Sequence, residues 1–485
     1  DVPRSYVGLV GRVTYDYRNR YIAEFNMGYN GSENFAPGRR FGTFPAGSLG
    51  WVVSDETFFK PLRKVVSFLK LRASWGLVGN DQITSGRRFM YLSDPYYVNS
   101  DALASNAYVS DSNYYGYAFG IWAPQINPTA TKGAYELAKN NPEVGWEKAF
   151  KQNYGVDINF FDDRLRATFD YYKEHRTDIL WTDGTVPTLI GFEVPFTNFG
   201  VVDSDGWELS INWNDKIGQD FRYWAKVNIS ENNNEVKEMK EAPMNNVYQY
   251  QKGHRIGARS QYLFWKFYEG EQTKTEYEQT FGSPWPEQLT GELQPGDCVL
   301  VDLDKNGKID QNDMSRDFGY TDDPQYMAGL TFGFAWKRLT FNAQLTAAWN
   351  VSRMLSDVFR RPFFRSQNNI YGGLLQYHVD NTWTPTNTDA DYPRATWASE
   401  ANNYSESTLY EKDAKYLRLK TLSIGYDFNN HWLRSLGITR CEVNLSGYNL
   451  LTFTPYKWGD PETRASSAPS YPLQRTYTIG LNVSF

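Results

Sequence analysis

Alternation of apolar and polar residues is the strongest signal in the chain, and it is cleanest at the end. In Tyr477-Thr-Ile-Gly-Leu-Asn-Val-Ser-Phe485 every odd position is apolar and every even one is small or polar. A period of two places successive side chains on opposite faces of a strand. Phe68 to Gly76 repeats the pattern, with Leu69, Leu71, Ala73 and Trp75 set against Lys70, Arg72 and Ser74. Read along the chain, the pattern predicts thirteen strands: Tyr6 to Tyr17, Arg20 to Gly31, Phe41 to Val53, Phe68 to Gly76, Lys148 to Phe161, Arg164 to Tyr172, Val201 to Trp213, Phe221 to Ser230, Tyr326 to Trp336, Leu339 to Trp349, Tyr416 to Phe428, Cys441 to Leu451 and Leu473 to Phe485. Arg18-Asn19, Asp162-Asp163 and Lys337-Arg338 read as tight turns. Long insertions cover about 78–147, 231–323 and 350–411, and insertions of that length are usually functional or disordered.

The fold class is therefore all-β. Strands with one apolar and one polar face, joined alternately by short turns and long loops, match a transmembrane antiparallel β-barrel of a bacterial outer membrane, with the short turns in the periplasm. The first and last strands then both run inward. Thirteen antiparallel strands cannot close, and open edges in lipid are not viable. The expectation is the C-terminal part of a larger barrel, about 13 of about 22 strands, lacking the early strands and any plug. The chain begins at Asp1 without Met or signal peptide, so a mature, processed or truncated product is expected.

Composition agrees with this picture. The 485 residues include 35 Tyr, 30 Phe and 16 Trp. Mean hydropathy is −0.61, and no apolar run reaches the roughly 18 residues of a membrane helix. A soluble glycan-handling β protein has similar composition. The net charge of −6, with no basic stripe, argues against nucleic-acid binding. Cys298 and Cys441 imply neither a disulfide nor a zinc site.

The most specific local motif is Asp302-Leu-Asp304-Lys-Asn306-Gly307-Lys308-Ile-Asp310-Gln-Asn-Asp313. It has the spacing of an EF-hand calcium loop. Asp302, Asp304 and Asn306 would offer side-chain oxygens, Lys308 its carbonyl, Gly307 the sharp turn and Asp310 a further ligand. Asp313 stands where the usual loop has a bidentate Glu and, being shorter, would bind more weakly. A structural Ca2+ loop is expected; the alternative is a solvated acidic turn. In the first insertion Tyr96, Tyr97, Tyr114, Tyr115 and Trp122 are candidate substrate-binding aromatics, because sugar C–H faces stack on rings. Packing of the loop on itself, or on a partner, is the competing reading. Tyr171, Trp336 and Trp432 read as an interfacial aromatic girdle. Lys70, Arg72, Asp157, Asn159, Arg166, Asp170, Arg222 and Lys226 read as inward-facing. The four His residues (His175, His254, His378 and His431) are scattered, and no carboxylate pair has a discriminating context, so no catalytic residue is assigned.

Several stretches resemble the SusC/RagA-like TonB-dependent transporters of Bacteroidetes. Ala46-Gly-Ser-Leu-Gly-Trp51 with Ser54-Asp-Glu-Thr-Phe-Phe-Lys60 is similar to the family's S-x-G-W…S-E-E-x-F. Leu69 to Gly76 with Gly79-Asn80 resembles L-K-L-R-x-S-Y-G-x-x-G-N. Trp146-Glu147 before Asn153-Tyr-Gly-Val-Asp157, Tyr416-Leu-Arg-Leu-Lys420 before Gly425-Tyr426, Asn449-Leu-Leu-Thr-Phe453 with Asp460-Pro-Glu462, and the closing strand from Arg475 follow in the family's order. The resemblance implies energy-coupled import of a bulky nutrient, an oligosaccharide or else a peptide. It implies a SusD-like surface lipoprotein as lid, and TonB-ExbB-ExbD acting through an N-terminal part. It also favours a folding role for the calcium loop. The competing functions are a secreted all-β glycoside hydrolase and a passive glycan-binding or adhesion protein.

Overall fold

The computed structural model describes residues 5–82, 89–92, 97–98, 134–135, 139–187, 194–364, 373–396, 401–428, 431–435, 437–464, 471 and 473–485. One antiparallel sheet of thirteen strands organises them, in simple chain order. The strands are β1 Tyr6–Tyr17, β2 Tyr21–Ser32, β3 Phe41–Val52, β4 Val66–Asn80, β5 Glu147–Phe160, β6 Leu165–Thr182, β7 Phe196–Ile217, β8 Phe221–Glu238, β9 Tyr326–Trp336, β10 Leu339–Trp349, β11 Tyr416–Asp427, β12 Arg440–Phe453 and β13 Thr476–Ser484. The expected count holds. Each strand pairs with its sequence neighbours, and β1 and β13 stand at the two ends of the order.

Register turns the local alternation into two continuous faces. One lateral row reads Tyr17, Tyr21, Trp51, Leu71, Val156, Phe169, Leu209, Ile229, Ala328, Ala347, Leu417 and Phe453, apolar or aromatic in every strand it crosses. A row on the opposite face reads Lys70, Asp157, Thr168, Ser210, Asn228, Gly329, Thr346, Arg418 and Thr452. A one-residue slip between any two strands would break both rows, so the pattern pins the register. The apolar face is open: Leu49, Phe169, Trp336 and Leu451 are all exposed. An apolar face of this extent needs an apolar medium, which lipid supplies. Among the described residues no helix is long and apolar enough to cross a membrane, which says nothing about strands.

Several boundaries differ from the sequence reading. Tyr17 pairs with Tyr21, so the first turn has three residues, and Arg20 lies in it rather than in the strand. Arg18 and Asn19 take φ of +57° and +53°, the left-handed values of a tight hairpin. Phe160 pairs with Leu165, so Phe161 and Arg164 join Asp162-Asp163 in that turn. The Lys337-Arg338 turn closes as expected between Trp336 and Leu339. β6, β7 and β8 run well past their expected ends. Asp203, Ser204, Asp205 and Asn232 to Asn234 are polar, which hides the strand in the sequence, yet they pair in register. Residues 231–238 therefore belong to the sheet and not to the second insertion. The β3–β4 connection is not a simple turn: it contains 3-10 segments at Val53–Asp55 and Thr57–Lys64.

The insertions carry the packed cores. Val351, Leu355, Tyr392, Tyr404, Tyr410, Ala414 and Tyr456 form one buried cluster. Tyr268, Tyr277 and Val299 form another, to which the helix Glu271–Phe281 contributes Tyr277. Arg259 ties the second insertion to the third, with Nη1 donating to Glu411 (2.6 Å) and to Ser352 Oγ (2.9 Å), and Nη2 to Asp322 (2.6 Å).

Candidate functional site

The acidic loop hangs from a buried short strand, Cys298–Leu300, whose residues are almost wholly enclosed. Asp302 follows at 3% exposure, and its N–H donates to the Tyr277 hydroxyl at 2.9 Å. The Asp302 carboxylate accepts from the N–H of Asn306 (3.2 Å) and of Gly307 (2.8 Å), curling the chain back on itself. Gly307 takes φ +88°, where a side chain would be strained. Asp304 also accepts from Asn306 N–H, at 3.1 Å. At the far end Asp313 is fully buried and reaches back across the loop, accepting from Leu303 N–H (2.7 Å) and Asp310 N–H (2.8 Å).

These contacts bring one carboxylate oxygen each of Asp302, Asp304 and Asp313 within 4.8 Å of one another. The other expected ligands are turned differently. The Asp310 carboxylate accepts from Asn312 N–H (2.7 Å) and lies 3.0 Å from Lys308 Nζ. The Asn306 carboxamide oxygen accepts from Lys308 N–H at 3.0 Å. Burial, with the Asp302 charge beside it, pushes the Asp313 carboxyl up to about 6, against the pull of its backbone donors. Tyr248 is raised to about 12, by burial first and then by the surrounding aspartates. Two buried carboxylates beside a third, in no salt bridge among the described residues, make a site of hard oxygen donors without a counter-charge. That donor set fits a divalent cation of the calcium type.

The candidate aromatics fare differently. Tyr96, Tyr114, Tyr115 and Trp122 lie outside the described residues. Tyr97 is described only as backbone, in a two-residue strand paired with Ala134–Tyr135. Tyr171 and Trp336 lie on the apolar face as expected of a girdle; the Trp432 side chain lies outside the described residues. The expected inward residues do share the polar face. There Arg72 is bonded to Asp157 at 2.8 Å and to Asp170 at 3.0 Å. Cys298 and Cys441 are both free.

The sequence reading missed the Arg259 clamp and a second one at Arg418. Arg418 is 1% exposed and donates to Asp460 (2.5 Å) and Thr452 Oγ1 (3.0 Å), with Glu462 at 3.1 Å. Asp460 and Glu462 stand in a stretch singled out above, but nothing local names their partner.

No family model matches the chain. Among curated proteins it is 28% identical over 500 residues to TonB-dependent receptor P3 of Formosa agariphila, covering 99% of this chain and 45% of that protein. It is 27% identical over 488 residues to TonB-dependent receptor SusC of Bacteroides thetaiotaomicron, covering 99% of this chain and 44% of SusC. The chain thus spans about half the length of these relatives. Among solved structures, the RagAB peptide importer in its open-open state superposes with a TM-score of 0.72 at 20% identity, over 99% of this chain and 47% of that one. These relatives are receptors rather than enzymes. Likeness along the whole chain and the thirteen-stranded two-faced sheet lead to one conclusion: the chain is similar throughout to SusC-like TonB-dependent receptors, β-barrel proteins of the bacterial outer membrane, and shares its fold with the RagAB importer.

Proposed function

We propose that the receptor to which these strands belong imports a bulky nutrient across the outer membrane, drawing energy from TonB-ExbB-ExbD and working with a SusD-like surface lipoprotein as lid. The observation that carries this reading is the continuous polar face opposite a continuous apolar one. A wet lumen wide enough for bulky cargo needs such a wall. The thirteen strands would be the C-terminal ones of about 22, the remaining strands and the plug coming from the rest of the receptor. Support comes from β1 and β13, whose outer edges pair with no other strand among the described residues. Oligosaccharide is the leading cargo, on the Tyr- and Trp-rich first insertion. Peptide is the second reading, favoured by the fold shared with a protein described as a peptide importer.

Deleting the receptor in its native host and comparing growth on defined oligosaccharides and on defined peptides tests the proposal. Loss on glycans alone supports the first reading and loss on peptides alone the second. Growth unchanged on both, with the deletion verified, would sink import as the function. In the same receptor, residues 302–313 would hold a structural Ca2+ through Asp302, Asp304 and Asp313, with Asn306 and Lys308 beside them. The ion would neutralise the buried carboxylates and lock the loop. Calcium should raise the melting temperature of the intact receptor over that in EGTA, and Asp302→Asn with Asp304→Asn should abolish the difference. An identical melt with and without calcium would leave the loop as a metal-free turn.

A further inference from the structure

The β3–β4 connection carries features that neither the sheet nor the insertions use. It lies at the same end of the sheet as the tight turns, the periplasmic end of such barrels. Thr57–Lys64 is a 3-10 helix, with three residues to the turn, so positions three apart share a face. Phe59, Leu62 and Val65 make one face and Phe58, Pro61 and Lys64 the next. Phe59 is buried and anchors the segment. Phe58, Leu62 and Val65 are 64%, 55% and 52% exposed. The third face holds Thr57, Lys60 and Arg63. Arg63 is held by Asp55 at 2.6 Å and Glu56 by Arg20 at 3.1 Å. Among the described residues neither Lys60 nor Lys64 forms a salt bridge.

The segment is joined at both ends to the lipid-facing surface. Glu56 accepts from the Tyr21 hydroxyl (2.5 Å) and from Trp51 Nε1 (3.1 Å), and both residues stand in the apolar row described above. At the other end the Val65 carbonyl accepts from Phe161 N–H at 3.0 Å. Phe161 is itself exposed and packs edge-on against Trp213, on the same outer face. Exposed apolar side chains thus continue from the aromatic belt along two adjoining faces of the helix, one of them ending in Lys64, with Lys60 on the third. A short helix with an apolar face, flanking cations and continuity with a lipid-facing belt has the character of an interfacial membrane element.

We propose that residues 53–65 form a foot lying in the periplasmic headgroup layer, with Phe58, Leu62 and Val65 in the acyl boundary and Lys60 and Lys64 on acidic phospholipid headgroups. The test uses the intact receptor in lipid nanodiscs, its accessible cysteines replaced, with an NBD label on Phe58→Cys, Leu62→Cys or Thr57→Cys. Quenching of labels 58 and 62, but not 57, by shallow doxyl lipids is the expected result. Quenching of all three by aqueous iodide alone, or protection of 58 and 62 from both quenchers, would overturn it: the first places the segment in water, the second against protein. For the charges, native mass spectrometry of the receptor loaded with phosphatidylglycerol should show about fivefold weaker lipid retention for each lysine removed, in Lys60→Gln and Lys64→Gln. Retention unchanged in the double variant would overturn the headgroup assignment.

Discussion

His378 shows how a single residue responds to its setting. It is 2% exposed in the third insertion, its Nε2–H donating to the Phe359 carbonyl (3.0 Å) and its Nδ1 accepting from Leu375 N–H (3.3 Å). Accepting at Nδ1 needs the neutral ring, and burial holds its pKa below the ordinary histidine value, against the pull of the Phe359 carbonyl. The unfolded insertion takes up a proton near pH 6.5 that the folded one refuses. The stability His378 contributes is therefore complete above about pH 6.5 and is lost as pH falls toward the lower folded pKa. Hydrogen exchange over residues 355–364 and 373–381, corrected for its intrinsic pH dependence, should show less protection at pH 5 than at pH 7. In His378→Gln that difference should vanish. Equal protection in the wild type at both pH values would contradict the neutral, buried assignment. At this scale the acidic loop was legible from spacing, because an EF-hand-type loop is a local motif in which each ligand position has a fixed offset. Its internal division was not legible. That Asp310 caps the turn while Asp313 crosses it depends on the backbone path.

Among elements, the clamps matter most. Arg259 joins two insertions that are distant in sequence, and its guanidinium is nearly enclosed with Glu411. Removing one partner of such a pair leaves a buried charge alone and costs about 3–5 kcal/mol. Arg259→Ala should therefore speed proteolysis and hydrogen exchange across residues 350–364 and 401–416 while leaving the sheet intact. Arg259→Lys should rescue little, because an ammonium lacks the fork that bonds Glu411, Asp322 and Ser352 together. Arg418→Ala should behave alike for the segment around Asp460, freed from its anchor on β11. Unchanged protection in either Ala variant would refute the clamp concerned. Strand identity was readable from alternation alone. The lengths of β7 and β8 were not, because beyond the apolar belt both faces of a strand are wet and polarity no longer alternates.

For the whole molecule, β1 and β13 decide the behaviour. Nearly every residue of both strands is exposed, and each has an outer edge whose backbone groups cannot stay unpaired in lipid. Expressed by itself, residues 1–485 should give no heat-modifiable monomeric barrel on semi-native electrophoresis, whereas the intact receptor should. A compact, heat-modifiable monomer from this chain alone would mean that thirteen strands close by themselves, and the larger barrel would have to be abandoned.

The sequence by itself determined the all-β class, the strand count, the two-faced character and the acidic loop. All of these rest on periodicities and offsets within a few residues, where side-chain direction follows from the backbone repeat. Only the tertiary structure decided the register rows, the arginine clamps, the packing of the insertions into cores of their own and the tethering of the β3–β4 connection to Tyr21 and Phe161. Each of these joins residues far apart in the chain, and such a meeting depends on where the sheet carries them. Arg259 and Glu411, 152 positions apart, have no local signal that names them as partners.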